Sequence, residues 1–342
     1  MGGRRSGKTS LLRRVEEVCS SKGERPCLLL DLQMTGRSLE GLFHTLRAEL
    51  RRKVYCEEHL LSPALLAAPD LFALMEGLIR QVEVRGIELV LLLDEAEVLL
   101  GMANSLPGPL ARLWQVWRKC PALQIVVAAS RALLSMGRLL RSQASYPFWE
   151  GFHLRCLERL DDAGAEALIR QSNSSSPVMM APSVMQSIKE VTGCQPYLLQ
   201  SLCQRLYEPD HTLRSPSEAC LEVDDLLDSL FHADYQNLLP EERAVLRLIA
   251  SGSVDVSALR AATQLEDEHV DICLHWLECL GYVRRREDQF YVANKFLASW
   301  LLSHQEELRE VPISRYALSE LGGMECSSLP VCHVDNCLGA FS

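Results

Sequence analysis

Apolar residues along this chain come in two patterns: short continuous runs, and longer stretches where they recur every three or four positions. Leu11, Leu12, Val15 and Val18 have helical spacing and predict a helix over roughly 8–18. Pro26-Cys27-Leu28-Leu29-Leu30-Asp31-Leu32 is continuously apolar in its middle and has the length of a strand buried on both faces, as in a parallel sheet. Gly36-Arg37-Ser38 interrupts it, and Ser38 predicts the cap of a helix reaching Val54, with Leu39, Leu42, Leu46 and Leu50 inward. After breaks at Pro63 and Pro69, a helix over 70–85 leads into the apolar strand Ile87–Leu93, which closes on Asp94-Glu95. A helix over 110–119 carries Trp114 and Trp117 on one face, a spacing that reads as packing rather than ligand stacking. Leu123–Ala129 predicts a further buried strand, ending at Ser130-Arg131. Phe152–Leu157 predicts a last one, after the loop Tyr146-Pro147-Phe148-Trp149.

From Leu160 the strand signals stop. Asp161-Asp162 opens a helix through Arg170, and the loop Ser172–Pro177 separates it from a helix over 182–190. Val191-Thr192-Gly193-Cys194-Gln195-Pro196 then turns into a helix ending near Tyr207, which makes an all-helical piece. Beyond the Ser/Pro-rich linker Arg214–Glu218, helices are predicted from Pro240, over 256–262 and over 266–280, the last ended by Gly281. Tyr282–Arg286 and Phe290–Val292 flank the polar turn Glu287-Asp288-Gln289 and predict a β-hairpin. Three helices and a hairpin make a winged helix. The final stretch has weak periodicity, which predicts little order.

Composition narrows the class without naming it. The 342 residues, 48% hydrophobic and 23% charged, suit two or three globular domains. A net charge of -10 argues against a protein that coats nucleic acid or an anionic membrane. No apolar run approaches the ~20 residues of a membrane span, and the N-terminus does not read as a signal peptide. The 13 cysteines are scattered through apolar segments and read as reduced residues of a cytoplasmic protein.

Candidate chemistry concentrates at the start. Gly2-Gly3-Arg4-Arg5-Ser6-Gly7-Lys8-Thr9-Ser10 fits G-x-x-x-x-G-K-[ST], the phosphate-binding loop of P-loop NTPases. Glycines let the backbone curl into a nest of N–H groups, and the following helix adds its positive end to the same anion. Lys8 supplies a cation for the β- and γ-phosphates, and Thr9 a hydroxyl for Mg²⁺. The competing view is a Gly/Arg-rich tail, but the apolar-periodic helix that the motif requires follows at once. Such a loop ordinarily follows a buried strand, whereas only Met1 precedes Gly2, so an upstream strand in a longer chain is expected. Asp94-Glu95 has the Walker B pattern: Asp94 is suited to Mg²⁺-bound water and Glu95 to polarising the attacking water. Arg131, at the end of a parallel strand, is placed to sense the γ-phosphate, or is an ordinary surface arginine.

On these motifs and their order, the chain resembles the STAND class of P-loop ATPases, relatives of AAA+ proteins, from Gly2 to about Leu302. Ala129-Ser130-Arg131 is similar to the family's Ser-Arg ending of the sensor strand. Thr192–Gln200 resembles the Gly-x-Pro segment of the lid, with Cys194 at the glycine position and Pro196 facing the nucleotide. Asn294–Leu301 resembles the end of the family's winged helix. The fold class expected is therefore an α/β P-loop NTPase core with a parallel sheet, followed by an α-helical lid and a winged-helix domain. The boundaries expected are 1–158 for the core, 159–212 for the lid, 213–223 for a linker, 224–303 for the winged helix and 304–342 for a tail. The resemblance implies a switch that binds ATP or ADP with Mg²⁺, hydrolyses slowly, and works through a partner protein, attached domains or a nucleotide-dependent oligomer.

Two alternatives compete with this resemblance. An origin-recognition-type AAA+ protein has the same order of parts, but its recognition helix should be basic. Here it begins Glu266-Asp267-Glu268, and only Arg284-Arg285-Arg286 in the wing is basic. DNA is disfavoured as a partner on that ground. A zinc site from Cys326, Cys332, His333 and Cys337 lacks the usual paired spacing.

Overall fold

The apolar run before Asp94 forms the central strand of a parallel sheet. The computed structural model describes residues 1–2, 5–22, 25–56, 61–130, 133, 152–171, 176–252, 254–263 and 265–308. It has two compact units, Met1–His304 and Gln305–Ser342, and every helix and strand described lies in the first. Strands β1 (Cys27–Asp31), β2 (Leu89–Asp94) and β3 (Leu123–Val127) run parallel in the order β1-β2-β3, with Asp31 opposite Asp94.

All six residues of β2 are buried, because successive side chains face opposite layers. Leu89, Leu91 and Leu93 join a core built with helices α2 (Leu39–Cys56), α3 (Leu71–Arg85) and, beyond α4 (Val98–Ser105), α5 (Pro107–Arg118). Val90 and Leu92 pack instead with Leu12 and Cys19 of α1 (Lys8–Lys22). Each such leucine contributes about 2 kcal/mol by leaving water. Trp114 and Trp117 are buried in the first of these cores, as their spacing predicts. Local chemistry starts the helices where expected: Ser38 Oγ accepts the Gly41 N–H at 3.0 Å, and Asp70 accepts that of Ala73 at 2.8 Å. Helix α4 was not foreseen, since Val98–Ser105 is short and nearly all apolar and shows no helical contrast.

Two strand expectations need correction. β3 stops at Val127 rather than running to Arg131. The next residue, Ala128, donates to Leu93 O at 2.8 Å and accepts the Ala96 N–H at 3.1 Å, which holds it against the end of β2. Residues 152–157 form no strand. They pair through the backbone with Met1: the Leu157 N–H donates to Met1 O at 2.6 Å, and the Met1 amino group donates to Arg155 O. β3 is therefore an edge strand among the described residues. Val126 is 41% exposed, where burial on both faces was expected. Arg131, the loop 146–149, the loop 172–175 and the tail from 309 onward, with Cys326, Cys332, His333 and Cys337, lie outside the described residues.

Beyond residue 160, α6 (Asp162–Arg170), α7 (Pro182–Thr192) and α8 (Pro196–Leu206) pack through Ile169, Ile188, Leu198 and Leu202. There follow α9 (Asp225–Gln236), α10 (Pro240–Ala250), β4 (Val254–Asp255), α11 (Val256–Thr263), α12 (Asp267–Cys279), β5 (Val283–Arg286), β6 (Gln289–Val292) and α13 (Lys295–Ser303). The three strands form an antiparallel sheet in the order β4-β6-β5, and the β5–β6 hairpin turns at Glu287, whose φ is 54°. Trp300 is fully buried against Phe231 and Tyr235 and donates its indole N–H to Asp228 at 2.8 Å. No described helix is long and apolar enough to cross a membrane.

The two-faced burial of β2 predicts that Leu91→Ala costs about 2–5 kcal/mol. Val84→Ala, at an exposed position of α3, should change stability by less than about 0.5 kcal/mol. Urea melts of the two variants compare them directly, and equal midpoints would remove β2 from the centre of the core.

Candidate functional site

The turn into α1 has the shape that the glycine spacing predicts. Gly2 is packed under Ser6, and a Cβ at Gly2 would come within 2.7 Å of Ser6 Oγ. Arg5 and Gly7 have φ of 56° and 95°, one on each side of Ser6. Left-handed residues alternating with others turn successive N–H groups toward one point, which makes an anion nest. α1 begins at Lys8, so its unpaired N–H groups and positive dipole end open at the same place. Lys8 Nζ reaches back over the loop to donate to Gly2 O at 3.3 Å. Ser6 Oγ is buried and has no hydrogen-bond partner, an orphan that a polar ligand would satisfy.

Across from Lys8 the sheet presents carboxylates. The Asp31–Asp94 register brings the ends of β1 and β2 side by side. Asp94 is 4% exposed, and its Oδ1 accepts the Glu95 N–H at 3.0 Å. Glu95 leaves the strand with φ 50°, a left-handed conformation that costs a non-glycine residue about 1–2 kcal/mol. Burial, and then the neighbouring Glu97 carboxylate, hold the Glu95 carboxyl above its ordinary range. Lys8 pulls it the other way, and Asp94 and Asp31 add smaller upward contributions. Glu97 accepts the Ser130 backbone N–H, so the exit of β2 is tied to the segment after β3.

The two sides border a cleft of about 810 Å³. Arg5, Ser6, Gly7, Lys8, Thr9 and Ser10 form one wall with Glu95, and Gln171, Pro196, Tyr197 and Gln200 form the opposite one. The Arg5 guanidinium sits 4.2 Å from the centre of the Tyr197 ring, a cation–π contact that fastens the loop to the start of α8. Just before α8, Gly193 has φ 60°, and a Cβ there would lie 2.1 Å from Ala293 O. Cys194 keeps a left-handed φ of 60° at the position where the resemblance expects glycine. Gln195 then donates to Gly281 O at 2.9 Å and accepts from Asn294 Nδ2 at 3.3 Å. The same short segment thus touches both the cleft and the antiparallel-sheet region.

Of the residues named from sequence, Arg5, Ser6, Gly7, Lys8, Thr9, Ser10, Glu95 and Pro196 come together around this cleft. Gly2 is buried behind the loop and Asp94 beneath Glu95. Gly3, Arg4 and Arg131 lie outside the described residues. Sequence reasoning did not name Glu97, and it gave Gln195 and Tyr197, inside the lid segment Thr192–Gln200, no role of their own. Glu97 was signalled only as a third acid in Asp94-Glu95-Ala96-Glu97, and the other two had no periodic signature.

No protein-family model matches the sequence, and no curated protein does. Among solved structures, the Walker-type ATPase PABY2304 of Pyrococcus abyssi matches with a TM-score of 0.57 at 18% identity, over 88% of this chain and 89% of that one. The chain shares the fold of this Walker-type ATPase. The Aeropyrum pernix ORC2 protein matches with a TM-score of 0.49 at 18% identity, over 90% of this chain and 85% of that chain. The STAND protein PH0952 from Pyrococcus horikoshii matches with a TM-score of 0.33 at 14% identity, over 90% of this chain and 41% of its own. At such scores these two likenesses decide nothing further.

In a P-loop ATPase fold the ligand to test against this cleft is a nucleoside triphosphate. The nest, the mobile cation of Lys8 and the orphaned Ser6 hydroxyl fit its phosphates. Thr9 and Asp94 offer hard oxygens, the class that Mg²⁺ accepts. Among the described residues no group of three or more His, Cys, Asp or Glu could hold a metal alone.

A raised carboxyl pKa means that the folded state binds the Glu95 proton more tightly than the unfolded state does. Its contribution to stability is therefore full in acid and declines as pH rises from the ordinary carboxylate range through the folded pKa. Glu95→Gln should melt higher than the parent at pH 7, with the gap closing near pH 4. Thermal melts at both pH values check this, and an unchanged or lower melting temperature at pH 7 would contradict the electrostatic account.

Proposed function

We propose that this chain is an ATP-binding, signal-transducing switch ATPase with slow Mg²⁺-dependent hydrolysis, in which α6–α8 act as a lid and residues 224–303 as a winged helix. The observation that carries it is the junction at the start of α8, which contacts the loop before α1 through Tyr197 and the β5–β6 region through Gln195. A ligand that moves Arg5 or Gly7 acts directly on that segment. In this reading the core spans 1–158, the lid 159–212, a linker 213–223 and the tail 304–342.

The residues take the following parts. The loop from Gly2 to Ser10, Gly3 and Arg4 included, encloses the phosphates, and Lys8 offsets their charge. Pro196 bounds the nucleotide from the lid side. Thr9 and Asp94 would hold Mg²⁺, which supplies charge neutralisation between the β- and γ-phosphates. Glu95 accepts a proton from the attacking water, and its upward-shifted pKa brings it nearer the range in which a general base works. Arg131 is assigned to γ-phosphate sensing on its position in the sequence alone. The partners that go with a switch are a further protein or domain and a nucleotide-dependent oligomer, in a cytoplasmic setting.

Lys8→Ala should abolish binding of labelled ATP, while Glu95→Gln should bind at parental affinity and lose turnover. Binding by Lys8→Ala at parental affinity would sink the site assignment.

The second reading is a DNA-binding protein of the origin-recognition type, and surface charge weighs against it. Glu266, Asp267 and Glu268 are exposed at the start of α12, and Arg285 is already engaged by Asp288 at 3.2 Å and by Glu287 O at 2.9 Å. Binding to duplex DNA at physiological salt should be weaker than the ~10⁻⁴–10⁻⁶ M of non-specific binders. Fluorescence anisotropy with ADP and with ATP tests this. Submicromolar binding that falls steeply with salt and weakens in Arg285→Glu would favour the DNA reading instead.

A further inference from the structure

Opposite charges collect at the two ends of α12. At its start Glu266, Asp267 and Glu268 are all exposed. Asp267 is engaged by Arg260 at 3.5 Å, Glu266 only approaches the His269 ring at 3.9 Å, and Glu268 meets no cation among the described residues. Past the other end, Leu280 and Gly281 border a cavity of about 40 Å³ that Arg159 and Tyr282 also line. Side chains alternate along a strand, so Arg284 and Arg286 of β5 follow Tyr282 on one face. β5 is also the outer strand of its sheet. Arginines from two separate segments therefore stand together here.

These arginines differ from their neighbours. Arg170, Arg205, Arg214, Arg260 and Arg285 each meet a carboxylate. Among the described residues Arg159, Arg284 and Arg286 meet none, and Arg284 Nε is buried without a hydrogen-bond partner. Burial, and then Arg286 and Arg159, hold the Arg284 guanidinium below its ordinary range, with Cys194 and Glu190 offsetting this less. It stays charged at neutral pH all the same. Unpaired like charges with a buried, unsatisfied N–H are unfavourable until a counter-charge joins them. The acids of α12 cannot supply it within one copy. The helix between them has 13 residues, and at that length it spans about 20 Å, well beyond the ~8 Å Debye length at physiological salt.

We propose that Arg159, Arg284 and Arg286 form a docking site for a second copy of this chain, which inserts Glu266 and Glu268 from the start of its own α12. Charge complementarity selects this occupant. Guanidinium forks pair well with carboxylates, and these two acids are exposed and free of Lys or Arg. Other exposed acids of the same part are engaged already: Asp162 by Lys189, Asp224 by Arg205 and Asp288 by Arg285. The contact joins two different patches, so each copy keeps one free acidic end and one free basic end, and copies add head to tail. It also accounts for a basic wing beside an acidic helix, a pairing that suits duplex DNA poorly. The contact depends on these charges and not on what the cleft binds.

Sedimentation velocity on the whole chain tests this. The parent should associate with rising concentration at about 50 mM salt, and its association constant should fall about tenfold or more at about 500 mM, as expected of exposed charges. Two double variants, Arg159→Gln with Arg286→Gln and Glu266→Gln with Glu268→Gln, should each associate about tenfold more weakly than the parent. All four positions are exposed, so the folded state should tolerate these changes. Mixed together, the two variants should form a heterodimer and nothing larger, because one intact acidic end and one intact basic end remain. A parent that stays monomeric at low salt, or associates equally at both salts, would overturn the proposal. So would variants that associate like the parent, or a mixture that does no better than its components or grows past a dimer. The salt series on the parent is decisive by itself, so a misfolded variant cannot mask the result.

Discussion

Burial of β2 on both faces is the constraint from which the rest of the site follows. Leu89, Leu91 and Leu93 anchor α2, α3 and α5 on one side, and Val90 and Leu92 anchor α1 on the other. A strand held this way cannot slip by one residue without exchanging its faces. Its end is therefore fixed, and with it the position of Asp94 and Glu95 relative to Lys8 at the start of α1. Apolar packing, which has no direction of its own, thus sets the geometry of a charged site.

The charges in that site are unbalanced in a way that suits a ligand. Asp31, Asp94, Glu95 and Glu97 gather at the ends of β1 and β2, and Lys8 is the cation whose field reaches Glu95. Burial first, and then the neighbouring carboxylates, hold the Glu95 carboxyl above its ordinary range. The left-handed backbone at Glu95 adds strain at the same point, as is common at functional positions. A divalent ion beside Asp94 would offset the gathered carboxylates.

The start of α8 joins this site to the C-terminal part of the chain. Arg5 over Tyr197, Gln195 between Gly281 and Asn294, and the close approach of Gly193 to Ala293 all fall within a few residues. Asn294 also accepts the Leu297 N–H at 2.8 Å, so the residue that touches Gln195 is the one that caps α13. Hydrogen bonds of this kind are directional, and a shift at one end changes the geometry at the other.

The sequence by itself determined the local elements and the loop. Continuous apolar runs become buried strands, capping residues such as Ser38 and Asp70 start helices, and the spacing from Gly2 to Thr9 puts a nest at the head of α1. These are short-range effects of sterics, hydrogen bonding and solvent exclusion, so they are legible in a one-dimensional pattern. Only the tertiary structure decided that Phe152–Leu157 is not a strand and that β3 is an edge, because a strand needs a partner and periodicity does not name one. The same limit hid Glu97 and the roles of Gln195 and Tyr197. Each acts through a neighbour distant in sequence, and such contacts are set by how the packed layers meet.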